Sequence, residues 1–169
     1  MLATHIDAER RYTELRKTAL RVISGQIPSN NNLVLKLIDK PALLESQKWN
    51  LSHKRLVKWD WLNSYGAFKY RYPKRFELAL WHKQALASLS LGRPTYNGKS
   101  LRLDFIEGNP DNTGIKVFPL VMAAMTTYAE ALGANELRVM NPINDEVKQY
   151  YQKFGLIYVP KGDYLFTHL

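Results

Sequence analysis

Leu101, Leu103 and Phe105 alternate with Arg102 and Asp104, the period-two spacing of a strand with one buried face. The run Gly108-Asn109-Pro110-Asp111-Asn112-Thr113-Gly114 behind it consists of turn formers. Residues 117–132 are apolar and rich in Ala and Met, which predicts a largely buried helix ending at Gly133, a good C-terminal cap. Residues 136–140 predict a second short strand. Asn144 then caps a helix carrying Val147, Tyr150, Tyr151 and Phe154, stopped by Gly155. A strand-helix-strand unit of this length predicts parallel strands joined by a right-handed crossover. It also aims the loop leaving the first strand at a helix N-terminus, where N–H groups and the helix dipole favour a phosphate.

The same patterns organise the rest of the chain. Residues 4–24 read as a helix with Thr4 as cap and Asp7 placed for a capping box. Ile6, Tyr12, Leu15, Ala19, Leu20 and Ile23 form its apolar stripe, while Arg10, Arg11, Arg16, Lys17 and Arg21 stud the other faces. Those charges suit either an arm for nucleic acid or a partner, or a solvated helix face, and the solvated face is the plainer reading. Gly25, Pro28 and three consecutive Asn mark a loop, 33–38 a strand, and Pro41 the first turn of a short helix reaching about Gln47. Residues 76–81 and 86–91 predict a hairpin turning at His82-Lys83-Gln84-Ala85. Residues 92–100, with Pro94, Asn97 and Gly98, predict a loop. Tyr158-Val159 and Tyr164-Leu165-Phe166-Thr167 predict a last hairpin turning at Lys161-Gly162-Asp163.

Charge changes the picture in one segment. The formal net charge is +9 over 169 residues, which suits nucleic acid, an acidic surface or an anionic cofactor as partner. Residues 53–75 are the most basic: Lys54, Arg55, Lys58, Lys69, Arg71, Lys74 and Arg75 face one acid, Asp60. Trp59, Trp61, Tyr65, Phe68, Tyr70 and Tyr72 are interleaved with them. Basic residues mixed with rings are what an RNA surface would use. The plainer alternative places Trp59 and Trp61 in the core and the charges in solvent, some of them helping to hold an anionic substrate. With no cysteine in the chain, disulfides, thiolate zinc sites and cysteine nucleophiles are excluded. His5, His53, His82 and His168 show no metal-ligand spacing with carboxylates, so no metal is expected. No apolar run is long enough to cross a membrane. Asp7, Glu9, Arg10 and Arg11 so near the start do not read as a signal peptide, so a cytoplasmic protein is expected. The length predicts one domain, 1–169, with a helical, basic N-terminal part (1–75) and a core (76–169).

The segment Asn144-Asp145-Glu146-Val147-Lys148-Gln149-Tyr150-Tyr151-Gln152-Lys153-Phe154-Gly155-Leu156 resembles the GNAT superfamily of acyl-CoA-dependent N-acetyltransferases. The family pattern there is Asn, a small apolar residue three later, an aromatic pair, then Gly and an apolar residue. The resemblance covers about residues 76–169. It implies an α+β fold: a central, mostly antiparallel mixed sheet with a parallel strand-helix-strand cofactor unit, flanked by helices and preceded by an N-terminal helix. The family's pyrophosphate loop reads Gln/Arg-x-x-Gly-x-Gly/Ala. Here the run Asp111-Asn112-Thr113-Gly114-Ile115-Lys116 keeps the middle glycine, begins with Asp and ends with Lys. Lys116 gives up the closeness a small residue would allow and supplies a charge suited to phosphate.

The resemblance implies acetyl-CoA as cosubstrate. Its pantetheine arm would pair with the backbone of Phe105, Ile106 and Glu107, its pyrophosphate would lie on Asn112, Thr113, Gly114, Ile115 and Lys116, and Asn144 would touch the arm or cap the helix beside it. Tyr151 takes the position of the family's general acid, since a tyrosine keeps its proton at neutral pH and can give it to a leaving thiolate. Tyr150 would then be the packing residue. Glu107 is the best-placed base, with Asp104 and His82 behind it, and an already neutral amine would need none. The implied reaction is acetyl transfer to a primary amine through a tetrahedral intermediate, the amine belonging to tRNA, a protein or a small molecule. The alternative is a catalytically inactive GNAT-like module that binds nucleic acid or a protein. Asp111 and Lys116 favour the module, and the 144–155 segment favours the enzyme. Nucleic acid through residues 54–75 and a homodimer through the ring patch of 59–72 are the candidate macromolecular partners.

Overall fold

The computed structural model describes residues 4–111 and 113–169. Helix α1 (His5–Gln26) opens on the capping box: Thr4 Oγ1 accepts from Asp7 N, and the Asp7 carboxylate accepts from Thr4 N. Strand β1 (Leu33–Lys36) leads to α2 (Lys40–Gln47), capped by Asp39 with Pro41 in its first turn. A single 3-10 turn at Lys48–Leu51 and an extended segment precede α3 (Trp61–Arg71), capped by Asp60. Strands β2 (Phe76–His82), β3 (Ala85–Pro94) and β4 (Ser100–Gly108) form a meander. Then come α4 (Val117–Leu132), β5 (Glu136–Met140), α5 (Asp145–Gln152), β6 (Ile157–Val159) and β7 (Tyr164–His168).

The strands make one seven-stranded sheet in the order β1-β2-β3-β4-β5-β7-β6. β4 and β5 are parallel and the other neighbours antiparallel, as the strand-helix-strand reading requires. Helices cover both faces. α1 and α4 pack on one through Leu20, Ile23, Val121, Met125 and the strand residues Leu78, Leu101 and Val139. α2, α3 and Trp49 pack on the other against Leu86, Leu89 and Leu91.

Several boundaries differ from the sequence reading. β3 runs on to Pro94 and β4 to Gly108, because pairing across the meander satisfies their backbones through what reads locally as loop. Arg16, expected on a solvated helix face, is 2% exposed. Its Nη1 donates to Pro73 O (2.7 Å) and Arg75 O (3.1 Å), and its Nη2 to Glu9 Oε1 (3.2 Å). Arg75 is equally buried: Nε donates to Glu77 Oε1 at 2.7 Å, and the guanidinium forks onto Glu9. Glu77 also accepts from Ile38 N and Tyr65 Oη, each at 2.7 Å. This network ties α1, α3 and β2 together. In the basic segment, then, Arg75 and Arg55 are neutralised by acids from outside it. Trp61 is core, as expected, and Trp59 is half-buried.

Candidate functional site

Parallel pairing between β4 and β5 runs from Ser100↔Glu136 to Leu103↔Val139 and stops. β5 ends at Met140, but β4 continues to Gly108 paired only with β3. The two strands therefore part, leaving one backbone edge of β4 open at Phe105, Ile106 and Glu107. A register shift marks the parting: Leu91 lies opposite Phe105 and Gly92 opposite Leu103, so Asp104 is the extra residue of a β-bulge. Gly92 makes the bulge sterically feasible, since a Cβ there would lie 2.1 Å from Arg102 O.

Between the parted strands lies a cavity of about 320 Å3, walled by Leu103, Asp104, Ile106, Glu107, Met140 and Tyr151. The extended segment after α2 roofs it through Arg55, Leu56, Val57 and Trp59. The roof is pinned by an ion pair that the sequence did not announce. Arg55 donates from Nε to Glu107 Oε2 at 2.7 Å and from Nη2 to Glu107 Oε1 at 2.9 Å. Trp61 Nε1 donates to the same Oε1 at 2.9 Å, and Arg55 also reaches Trp59 O and Asn50 Oδ1. Glu107 stands where expected at the end of β4. With both oxygens engaged by Arg55 and Trp61, it holds the roof down.

A second groove of about 430 Å3 opens toward the start of α4, lined by Ile106, Gly108, Thr113, Ile115, Lys116 and Tyr151 among others. Gly114 has φ +77°, a left-handed turn that suits glycine. Asp111, the residue of unwelcome sign, is outside the groove: its Oδ1 accepts from Ser52 Oγ at 3.0 Å. His82, the second alternative base, instead secures the loop, its Nδ1 donating to Thr113 O at 2.7 Å. Asn112 lies outside the described residues. Asn144 caps α5, its Oδ1 accepting from Val147 N at 2.8 Å.

Tyr151 belongs to the walls of both hollows. Its ring stacks on Phe118 at 4.4 Å and is 8% exposed. Burial, helped by neighbouring Tyr150, pushes its hydroxyl up to about 12. Among the described residues that hydroxyl has no hydrogen-bond partner. The packing roles of the two tyrosines are the reverse of the expectation: Tyr151 is buried, and Tyr150 is 39% exposed at the rim of the Phe118 and Phe154 cluster. The arrangement can hold an extended chain along the β4 edge, an anionic group at Lys116, and a proton donor where the two meet.

No protein-family model matches the chain. No curated protein matches it in sequence. Its structure, however, is similar to many solved ones. Ard1 from Thermoplasma volcanium superposes with a TM-score of 0.63 at 11% identity, over 82% of this chain and 98% of that one. A GNAT-family acetyltransferase from Staphylococcus aureus gives 0.63 at 9%, covering 81% and 99%. A point mutant of spermidine N-acetyltransferase SpeG from Vibrio cholerae gives 0.58 at 13%, covering 81% and 94%. The chain has the fold of the GNAT acetyltransferases.

Proposed function

We propose that the protein is an acetyl-CoA-dependent N-acetyltransferase acting on a primary amine. The observation that carries the reading is the parting of β4 from β5 at Leu103↔Val139, with Tyr151 at the junction of the two hollows it creates. The residues present fit acetyl-CoA. The open β4 edge at Phe105, Ile106 and Glu107 suits the amides of a pantetheine arm, which would add to the sheet as a further strand. Thr113, Ile115 and Lys116, with the left-handed Gly114 between them, suit a pyrophosphate at the start of α4. Bound there, acetyl-CoA supplies an acetyl group activated as a thioester.

The chain's own residues do the rest. Tyr151 gives its proton to the leaving thiolate. The apolar hollow beneath the Arg55–Glu107 roof limits water and so hydrolysis. Backbone N–H groups on the free β4 edge are donors for the oxyanion of the tetrahedral intermediate. One structural neighbour is a spermidine N-acetyltransferase, and a shared fold leaves this chain's acceptor open.

Calorimetric titration with acetyl-CoA tests the reading. Binding in the micromolar range, weakened in Lys116→Ala, is expected. No heat and no thermal shift at millimolar acetyl-CoA would remove the acetyltransferase reading and leave the binding module.

A further inference from the structure

On the α3 face of the sheet lies a larger cavity, about 560 Å3, within the usual range for small-molecule sites. It adjoins the hollow between β4 and β5, since Trp59 and Asp104 line both. Its apolar walls are the rings of Trp59, Trp61, Phe68, Tyr72 and Phe105, with Trp59 edge-on to Phe105 at 5.1 Å and 83°. Such walls take up a planar apolar body by stacking and edge contacts.

Lys58, Asp60 and Ser64 also line it, and two further polar features bear on a ligand. The first is Asp104 at the bulge, its side chain 10% exposed. Arg102 engages Oδ1 from Nε at 2.8 Å and Nη2 at 2.6 Å. Oδ2 is buried without a hydrogen bond, with Arg93 Nε 3.7 Å away. A buried carboxylate oxygen left unsatisfied is costly, and a small shift of the side chain at the cavity wall would bring it to a donor from outside the chain. The second feature is two guanidiniums that each lie against the Tyr72 ring, Arg93 at 4.7 Å and Arg71 at 5.4 Å from its centroid. Both line the cavity, and neither makes a hydrogen bond among the described residues. Guanidiniums so placed are forked donors matched to a carboxylate.

We infer that this cavity is the acceptor site, and that the acceptor is an aromatic α-amino acid: its α-nitrogen on Asp104 Oδ2, its carboxylate on Arg93 and Arg71, its ring among Trp59, Phe68 and Phe105. The inference rests on the acetyl-transfer reading and names the substrate class of that site. Charge selects the class. Lys58, Arg71 and Arg93 outnumber Asp60 and Asp104 along the cavity, with Arg102 also on Asp104, an excess of positive charge that disfavours a simple polyamine. A zwitterion brings an anion for the guanidiniums along with its ammonium. The same excess favours loss of the ammonium proton, which must precede attack.

Asp104 is placed to take that proton. Burial raises its carboxyl above the ordinary value, against the pull of Arg102, toward the range useful for a base. The α-ammonium passes one proton to Oδ2, and the nitrogen bonds to the thioester carbonyl carbon. The carbon–sulfur bond then breaks, and the thiolate takes the Tyr151 proton. The second nitrogen proton restores the tyrosine through water, and Asp104 releases its own to solvent. The products are the N-acetyl amino acid, the free thiol and one proton.

The test uses calorimetry and thiol release on the full chain, with acetyl-CoA titrated separately into the same preparation. L-phenylalanine is compared with phenethylamine, which lacks the carboxylate, with L-alanine, which lacks the ring, and with spermidine. Binding and acetylation of phenylalanine at least tenfold better than the other three is expected. Arg71→Gln, at an exposed position, is expected to erase the preference over phenethylamine while leaving acetyl-CoA binding intact. Asp104→Asn is expected to lower kcat/KM for phenylalanine by tenfold or more and to remove the acid limb of its pH profile. Equal use of phenethylamine or spermidine would overturn the inference. So would acetyl-CoA binding with no phenylalanine acetylation, an outcome that leaves the acetyl-transfer reading standing. Absence of acetyl-CoA binding would take both down.

Discussion

Tyr151 carries the most specific chemical prediction. The residue is 8% exposed, its hydroxyl has no hydrogen-bond partner among the described residues, and burial pushes its pKa up to about 12. It therefore stays protonated through the physiological range, and its ionisation does not shape the rate below about pH 11. Tyr151→Phe keeps the ring stacked on Phe118 and removes the proton. The expected result is a kcat lowered about 10²- to 10⁴-fold, the usual contribution of a positioned acid, with acetyl-CoA affinity nearly unchanged. Steady-state kinetics beside calorimetry would show it. A kcat within a few-fold of the parent would remove the acid role. Lys116→Ala belongs to the same scale. One charge-assisted contact to phosphate contributes about 1.5–3 kcal/mol, so acetyl-CoA binding should weaken by roughly tenfold or more.

At the scale of elements, the parting of β4 and β5 depends on the bulge at Asp104, and the bulge depends on Gly92. A side chain there would press into the Arg102 carbonyl, a backbone atom that cannot swing away. Gly92→Ala should cost about 1–3 kcal/mol in urea unfolding, the range typical of overpacking, with a larger loss of activity as the β4 edge shifts. The fold needs the glycine for a close approach: its neighbours across the strand pair leave no room for a methyl group. Helix α4 shows the complementary case. It is apolar nearly all round because α1 and the sheet cover it, and its start is turned to the groove where Lys116 sits.

For the whole molecule, the network of Glu9, Arg16, Tyr65, Arg75 and Glu77 joins the N-terminal helices to the sheet. Removing one partner strands a buried charge, so Arg75→Ala should destabilise by about 3–5 kcal/mol in thermal or urea unfolding. A loss under about 1 kcal/mol would mean the network is incidental. Acid probes it independently. The Arg75 hydrogen bonds hold the Glu9 carboxyl below the ordinary carboxylate range, ahead of the opposing effect of burial. A depressed folded value contributes stability above the unfolded value, about 4.3, that is lost as pH falls through the folded one. Between about pH 5 and 2 the parent should therefore lose more stability than Glu9→Gln does.

The sequence by itself determined the elements whose signals are local. The capping box at Thr4, the Asn144 cap, the left-handed glycines and the alternation of residues 101–105 act within a turn or two, and the structure has them where the pattern put them. Tyr151 was singled out through the resemblance of residues 144–156 to the GNAT pattern, also a local signal, and the structure has it on the walls of both hollows. The tertiary structure alone decided what depends on distant partners. Arg16 looked solvated because nothing near it in sequence showed Glu9 and the Pro73 carbonyl closing over it. Arg55 and Glu107, with fifty-one residues between them, gave no sign of pairing. The bulge at Asp104 arises from the register between β3 and β4, which no single strand encodes. The aromatic cavity needed α3 laid across β4 before scattered rings became walls. Hydrogen-bonded caps and side-chain periodicity are short-range and write themselves into neighbouring residues. Charge pairing and cavity shape follow from the packing of elements far apart in the chain.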